Sequence, residues 1–300
     1  MSGSTPGIVY RTKKDVMYVT RDGASWRSEL VDAVGIETYI EAPTLRFGPT
    51  GTPFVSYADE TNWGKSYVAR RGAEGWELLP YLDKPYELVM ALDPSGVPEV
   101  LSTQAGGVFH TVARDGMYET DLVLSSKTEG GTVGVGLPAL VIDAQGGRHV
   151  ALRTAQGTLF YAHDAELSWT LVEVASGTSE VTPDIALDER GQVLIAYAEA
   201  SQHAALATVS AEGTVTTTTL GAEPARRLAL LSAGAGDWFV AWYPEAEDAD
   251  TWHLTYPDGR DTQLQGPEAV LAVADGKLHA VYLQQHGFPM WDVCYATRDL

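Results

Sequence analysis

Residues 20–26 read TRDGASW, and the phrase returns in altered form as RRGAEGW at 70–76, AHDAELSW at 162–169 and YPDGRD at 256–261. Each copy is a short polar turn, and three of the four close on a tryptophan: Trp26, Trp76 and Trp169. The similarity spreads outward from the turn. VYRTKKDVMYVTRDGASWRSELV (9–31) matches ALRTAQGTLFYAHDAELSWTLVEV (151–174) nearly position for position. LPALVIDAQGGRH lies upstream of the second copy, and that phrase has its own relatives. They are APTLRFGPTGTPF (42–54), YELVMALDPSGVPE (86–99), TPDIALDERGQV (182–193), RLALLSAGAGDW (227–238) and AVLAVADGKLH (269–279). The chain therefore repeats one unit with a period of about 45 residues, the range in which internal repeats build propellers or solenoids.

Within each unit the segments alternate apolar and polar or small residues over four to seven positions, the pattern of half-buried strands. DPSG, DAQG, DERG and ADG fall between them, where Gly accepts the positive φ of a tight turn. Helical spacing is missing almost everywhere. Each unit reads as strand, Asp/Pro/Gly turn, strand, variable loop, strand, polar turn, strand. Four antiparallel strands repeated at this period predict an all-β chain, a single β-propeller domain over residues 1–300. Second strands are expected to begin near Ile8, Phe54, Glu99, His149, Val193, Phe239 and His279, with six matching first strands. That count favours seven blades, with six as the alternative. Trp26, Trp76 and Trp169 are expected to plug the gaps between neighbouring blades.

The polar turn resembles the Asp-box, or BNR repeat, of sialidase-like propellers, written loosely Ser-x-Asp-x-Gly-x-Thr-Trp. TRDGASW is one residue shorter than that pattern. In the family the box is structural and lies away from the active site. The sialidase arginine cluster and tyrosine–glutamate pair have no counterpart here, and no Phe-Arg-Ile-Pro phrase occurs. The resemblance implies the fold and not sialidase activity.

Composition narrows the partners. At 45% hydrophobic residues the chain can bury a large core. Twenty basic residues against 40 acidic ones give a formal charge of −20, which argues against nucleic acid and anionic membranes, since both are recognised by clustered Lys and Arg. A single cysteine, Cys294, excludes an intrachain disulfide and a thiolate metal cluster. MSGSTPG has no basic segment followed by an apolar one, so the sequence as written reads as cytoplasmic, or as secreted where a leader has been removed.

Propeller ligands are expected at the mouth of the central channel, in the loops after the second strands and those entering the next blade. These loops are rich in acids and amides, with two histidines. Asp59, Glu60, Glu199, Glu245, His203 and His286 form a candidate ligand set for a divalent cation, calcium or zinc, because converging carboxylates and imidazoles suit such ions. A cation held there polarises a carbonyl or phosphoryl oxygen, or lowers the pKa of a bound water. Glu199, His203, His286 and Arg153 are the candidate catalytic residues, Arg153 either holding an anionic oxygen or neutralising nearby carboxylates. Trp63, Trp252, Phe288 and Trp291 are loop aromatics that suit an apolar ligand wall or inter-blade packing. His110 and His253 occupy equivalent third-strand positions with Phe160 and Cys294, which predicts blade core. Two functions follow. One is a metal-assisted hydrolase of a small ester, lactone or phosphoester, of esterase, lactonase or phosphotriesterase type. The other is a non-catalytic propeller that binds glycan or protein.

Overall fold

The computed structural model describes residues 5–12, 14–33, 43–59, 65–83, 87–104, 107–114, 117–125, 138–165, 168–234, 237–246, 251–256, 258–285 and 291–300. Every ordered element among them is a strand. β1 (Gly7–Arg11), β2 (Asp15–Asp22) and β3 (Ser25–Ala33) form a three-stranded sheet. β4 (Thr44–Phe47), β5 (Pro53–Asp59), β6 (Lys65–Arg71) and β7 (Trp76–Asp83) form the next, with four strands in chain order. The third holds β8 (Glu87–Leu92), β9 (Pro98–Gln104), β10 (Gly107–Arg114) and β11 (Met117–Ser125). The fourth holds β12 (Ala139–Ile142), β13 (Arg148–Arg153), β14 (Leu159–Ala165) and β15 (Ser168–Ala175).

A seven-stranded sheet follows. It contains β16 (Asp184–Leu187), β17 (Val193–Ala198), β18 (His203–Val209) and β19 (Val215–Gly234), then β20 (Asp237–Pro244), β21 (Thr251–Thr255) and β22 (Asp261–Gln265). β19 pairs with β18 along Val215–Thr219 and with β20 along Ala225–Gly234. This one strand is thus the outer strand of one four-stranded repeat and the inner strand of the next. β23 (Ala269–Ala274), β24 (Lys277–Gln285) and β25 (Trp291–Asp299) complete the chain as a three-stranded sheet. With β19 counted in both, the described strands make seven blade-type sheets, and β1, β5, β9, β13, β17, β20 and β24 are the seven second strands expected.

Packing divides the chain into two compact units. One comprises residues 1–133, 142–148 and 164–169; the other comprises 134–141, 149–163 and 170–300. Their cores are laid down between consecutive sheets. In the first unit, Val16, Tyr18 and Val31 meet Val55, Tyr57 and Ala69, and Phe54 and Val68 meet Leu88, Met90 and Val100. In the second, Leu159, Tyr161 and Val174 meet Ile185, Ile195 and Tyr197, and Phe239, Tyr243 and Leu254 meet Leu271 and Leu278. β17 shows why its sequence, VLIAYA, is apolar throughout. Successive strand side chains point to opposite faces, so Ile195 and Tyr197 serve one core while Leu194 and Ala196 serve another. Each such aliphatic side chain contributes about 1.5–3 kcal/mol when fully buried.

The repeated Asp phrases are one turn built several times. Asp93, Asp143 and Asp188 each accept, through Oδ1, the backbone N–H groups two and four residues further on, at 2.7–2.9 Å. The glycine three residues after each Asp sits at positive φ: Gly96 at 87°, Gly146 at 88° and Gly191 at 76°. The same backbone closure recurs at Glu199–His203, where Glu199 N–H reaches the His203 carbonyl at 3.0 Å and Gln202 N–H the Glu199 carbonyl at 2.8 Å. There the left-handed position holds Gln202, φ 64°, in place of glycine.

One polar contact also ties adjacent sheets. Glu99 on β9 is fully buried. It accepts from His110 Nε2 at 2.7 Å and from Arg148 Nε and Nη2 at 2.6 and 2.7 Å. Arg148 also donates through Nη1 to Asp164 at 2.7 Å, and the His110 ring stands edge-on to Trp169 with centroids 5.7 Å apart. Burial disfavours the Glu99 carboxylate, but hydrogen bonds and charge from His110 and Arg148 outweigh it and hold the group at about 2. Bidentate arginine contacts of this kind are the strong form of the interaction.

Two outcomes follow from this arrangement. Gln202→Gly relieves a left-handed side-chain residue and should raise unfolding free energy by about 1 kcal/mol in a urea titration; a decrease would mean that the Gln202 side chain stabilises the turn. Glu99→Gln leaves Arg148 buried without its charge partner and should cost about 3–5 kcal/mol at neutral pH. Because the folded-state value lies below the ordinary 4.5, the stabilisation is complete above about pH 4.5 and fades as pH falls toward 2. The wild type should therefore lose stability across that window by a step that Glu99→Gln lacks.

Candidate functional site

Three of the sequence-predicted ligands are gathered on one stretch of backbone. His203 pairs with Pro224 across β18 and β19, Ala225 N–H donates to the Gln202 carbonyl at 2.8 Å, and Glu245 N–H donates to the Pro224 carbonyl at 2.9 Å. Glu199 closes the same turn, and its Oε1 accepts from Thr219 Oγ1 at 2.9 Å. Glu199, His203 and Glu245 therefore hang from the segment around Pro224. Among the described residues no three His, Cys, Asp or Glu side chains stand close enough to share a metal ion. Asp59 ends β5; its side chain, Glu60 and His286 lie outside the described residues. Arg153 is a brace for a neighbouring turn. It donates from Nε and Nη2 to the Thr178 carbonyl at 3.2 and 3.0 Å, while Thr178 Oγ1 donates to the Gly157 carbonyl at 2.9 Å.

The aromatic and histidine expectations divide. His110 is buried, as its third-strand position predicts. His253 is only partly covered: it lies flat on Trp242 with centroids 4.1 Å apart, and its Nδ1 meets Asp261 Oδ2 at 2.8 Å. Trp252 belongs to β21 and not to a loop. It is 2% exposed and donates its indole N–H to the Pro267 carbonyl at 3.0 Å. Trp63 and Phe288 lie outside the described residues, as does the Trp291 side chain. The expected plugs behave differently from one another. Trp76 and Trp169 pack against the preceding sheet, whereas Trp26 is 42% exposed.

The richest surface of mixed chemistry lies where β2 and β3 face β6 and β7. Trp76 opposes Arg71 across the β6–β7 hairpin, which sends both side chains toward the preceding sheet. There the Trp76 ring meets Tyr18 edge-on at 5.4 Å. Arg71 Nε donates to Glu29 Oε2 at 2.7 Å, with side-chain exposures of 29% and 20%. Arg27 approaches the other Glu29 oxygen at 3.8 Å. The hydrogen bond from Arg71 holds the Glu29 carboxyl below its ordinary range, and burial raises the Tyr18 phenol. Tyr57 OH donates to Asp32 at 2.5 Å and stacks on Tyr67 at 5.4 Å. The Trp76 indole N–H is buried and has no hydrogen-bond partner; in native proteins such groups are rare and ask for an explanation.

This cleft places aromatic rings, a guanidinium and two carboxylates side by side and within reach of solvent. It is the open counterpart of the Glu99–Arg148–Trp169 arrangement, which has the same chemistry but buries its acid completely. Sequence reading passed over Glu29, Asp32, Tyr57 and Arg71. A signal for one of them existed: an arginine stands five residues before tryptophan in both TRDGASW (Arg21, Trp26) and RRGAEGW (Arg71, Trp76), and in each hairpin the two face one another.

No family model matches the chain, and no curated protein matches it in sequence. Solved structures do. A lectin from Burkholderia pseudomallei is similar with a TM-score of 0.74 and 10% identity, over 98% of this chain and 92% of that one. A mutant of the Aleuria aurantia lectin, in complex with Fucα1-6GlcNAc, gives 0.58 and 11% identity over 87% and 91%. Virginiamycin B lyase from Staphylococcus aureus gives 0.56 and 10% over 88% and 89%. At these identities the likeness is one of fold, and with the sheets described above it identifies the chain as an all-β propeller of four-stranded antiparallel blades.

Proposed function

We propose that this propeller binds carbohydrate in clefts between neighbouring sheets, and that the Tyr18–Glu29–Arg71–Trp76 cleft is such a site. The observation that carries the reading is the partly open Arg71–Glu29 pair beside the unpartnered indole N–H of Trp76. A pyranose ring has an apolar face of C–H bonds and a rim of hydroxyls. An aromatic ring accepts the first. A paired guanidinium and carboxylate, with an indole N–H, offer donors and acceptors to the second. Binding pockets in general combine apolar walls with a few placed polar groups, and the lectins among the similar structures favour a glycan over other small molecules. Fold alone does not assign function; the cleft is what gives the reading its content.

A second reading, metal-assisted hydrolysis of a small ester, lactone or phosphoester, is favoured by the gathering of Glu199, His203 and Glu245 around Pro224. Asp59, Glu60 and His286 complete its ligand set, and calcium or zinc would supply the Lewis acid. The two readings separate experimentally. On a glycan array the chain should retain at least one saccharide, and calorimetry with that saccharide should show Trp76→Ala and Arg71→Ala each weakening binding by about tenfold or more. Retention of no glycan, or affinity untouched by both substitutions, would remove the carbohydrate reading. Chelator-sensitive hydrolysis that disappears in Glu199→Ala and His203→Ala would establish the second instead.

A further inference from the structure

β25 repeats β2. Asp292–Asp299 reads DVCYATRD where Asp15–Asp22 reads DVMYVTRD, with only Cys294 and Ala296 differing from their counterparts. β2 carries a partner on its outer side, β3, which sets Trp26 opposite Arg21. β6 does the same with β7, setting Trp76 opposite Arg71. Arg298 holds the register of Arg71: the pairs Val55–Ala69 and Tyr57–Tyr67 in one sheet correspond to Ala280–Ala296 and Tyr282–Cys294 in the other. Yet among the described strands β25 pairs with β24 alone.

A cavity of about 320 Å³ lies where the equivalent tryptophan would sit. Trp252 and Leu264, from the third and fourth strands of the preceding sheet, form one wall. Leu271, Tyr282, Ala296 and Arg298 form the other. This is the seat that Trp76 fills beside Arg71 against Tyr18 of its own preceding sheet. The lining is largely apolar, and Arg298 lies at one end of the third-strand wall with its guanidinium available to an aromatic ring, an attractive pairing in its own right.

We propose that the β23–β25 sheet takes up, along the outer edge of β25, an extended tryptophan-bearing strand supplied by another polypeptide, with its indole in this cavity opposite Arg298. An uncovered strand edge offers a row of backbone donors and acceptors to such a strand. The incoming strand runs antiparallel to β25, as β3 and β7 run to β2 and β6. Its tryptophan enters near Arg298, and the residues that follow run back toward Trp291. The tryptophan strands β3, β7 and β15 of this chain are each hydrogen-bonded within their own sheets, so the occupant is a segment of a separate chain. Specificity comes from the ring, affinity from the backbone.

The test uses the full chain and a synthetic peptide, SWRSELVDA, which copies residues 25–33, beside a form with its tryptophan replaced by alanine. Calorimetry should show the first peptide binding in the micromolar range and raising Tm by mass action, with the alanine form weaker by at least about tenfold. Ala296→Trp fills the cavity from within and should abolish binding while leaving the β-sheet circular dichroism unchanged. The comparison of the two peptides on the unmodified chain stands whether or not that variant folds. Failure of the tryptophan peptide to bind, equal binding by both peptides, or undiminished binding to folded Ala296→Trp would each overturn the proposal.

Discussion

A four-stranded sheet has two faces, and a sequence that makes both apolar cannot leave either in water. That constraint governs this chain. β17 illustrates its strictest form, with every side chain of Val193–Ala198 buried and alternate residues committed to different cores. Each sheet is thus stable only against its neighbours, and the repeat of about 45 residues is the sequence consequence of building the same two-faced object again and again. The Asp–Gly turns serve that end. By satisfying their own N–H groups through a carboxylate, Asp93, Asp143 and Asp188 let the strands reverse within four residues and keep the apolar register in step.

Stacking sheets face to face also decides where polar chemistry can lie. Near the outer strands the aliphatic filling gives way to tryptophan, arginine and carboxylate, and the balance of burial sets their use. Glu99 is covered completely and meets three donor nitrogens, which leaves it little capacity for a ligand. Glu29 keeps 20% of its side chain exposed and meets Arg71 through one short hydrogen bond, so oxygen lone pairs and guanidinium N–H groups remain to be shared. The same set of residue types therefore yields a structural clamp at one seam and a candidate recognition cleft at another.

Much of the fold was legible in the sequence because its signals are local. Alternation over four to seven residues marked the strands, and glycine after aspartate marked the turns; all seven second strands stand where those signals put them. Features that depend on which sheets meet were less legible. Glu29 and Arg71 are 42 residues apart, and nothing in either strand alone says they touch. Glu99 read as the first residue of a strand, although its carboxylate joins two sheets through Arg148, 49 residues away. Trp252 looked like a loop aromatic beside an acidic run, but the strand begins at Thr251 and buries it. Trp26 shares the phrase that plugs a seam at Trp76 yet remains exposed, because exposure is set by the surface opposite and not by the turn. The acidic loops were the least informative, since polar composition is common to solvated turns and to binding sites.

The account turns on whether ligand meets the protein at the seam between β2–β3 and β6–β7. Nitrogen-15 labelling of the indole groups tests this directly, because the chain has eight tryptophans and the Trp76 resonance can be assigned by Trp76→Phe. On titration with a saccharide that the protein retains, the account predicts a selective, saturable shift of the Trp76 indole N–H as its unpartnered proton gains an acceptor. A saturable titration that leaves Trp76 unmoved while perturbing the amides of Glu199, His203 and Glu245 would contradict it and place recognition at the acidic turns instead.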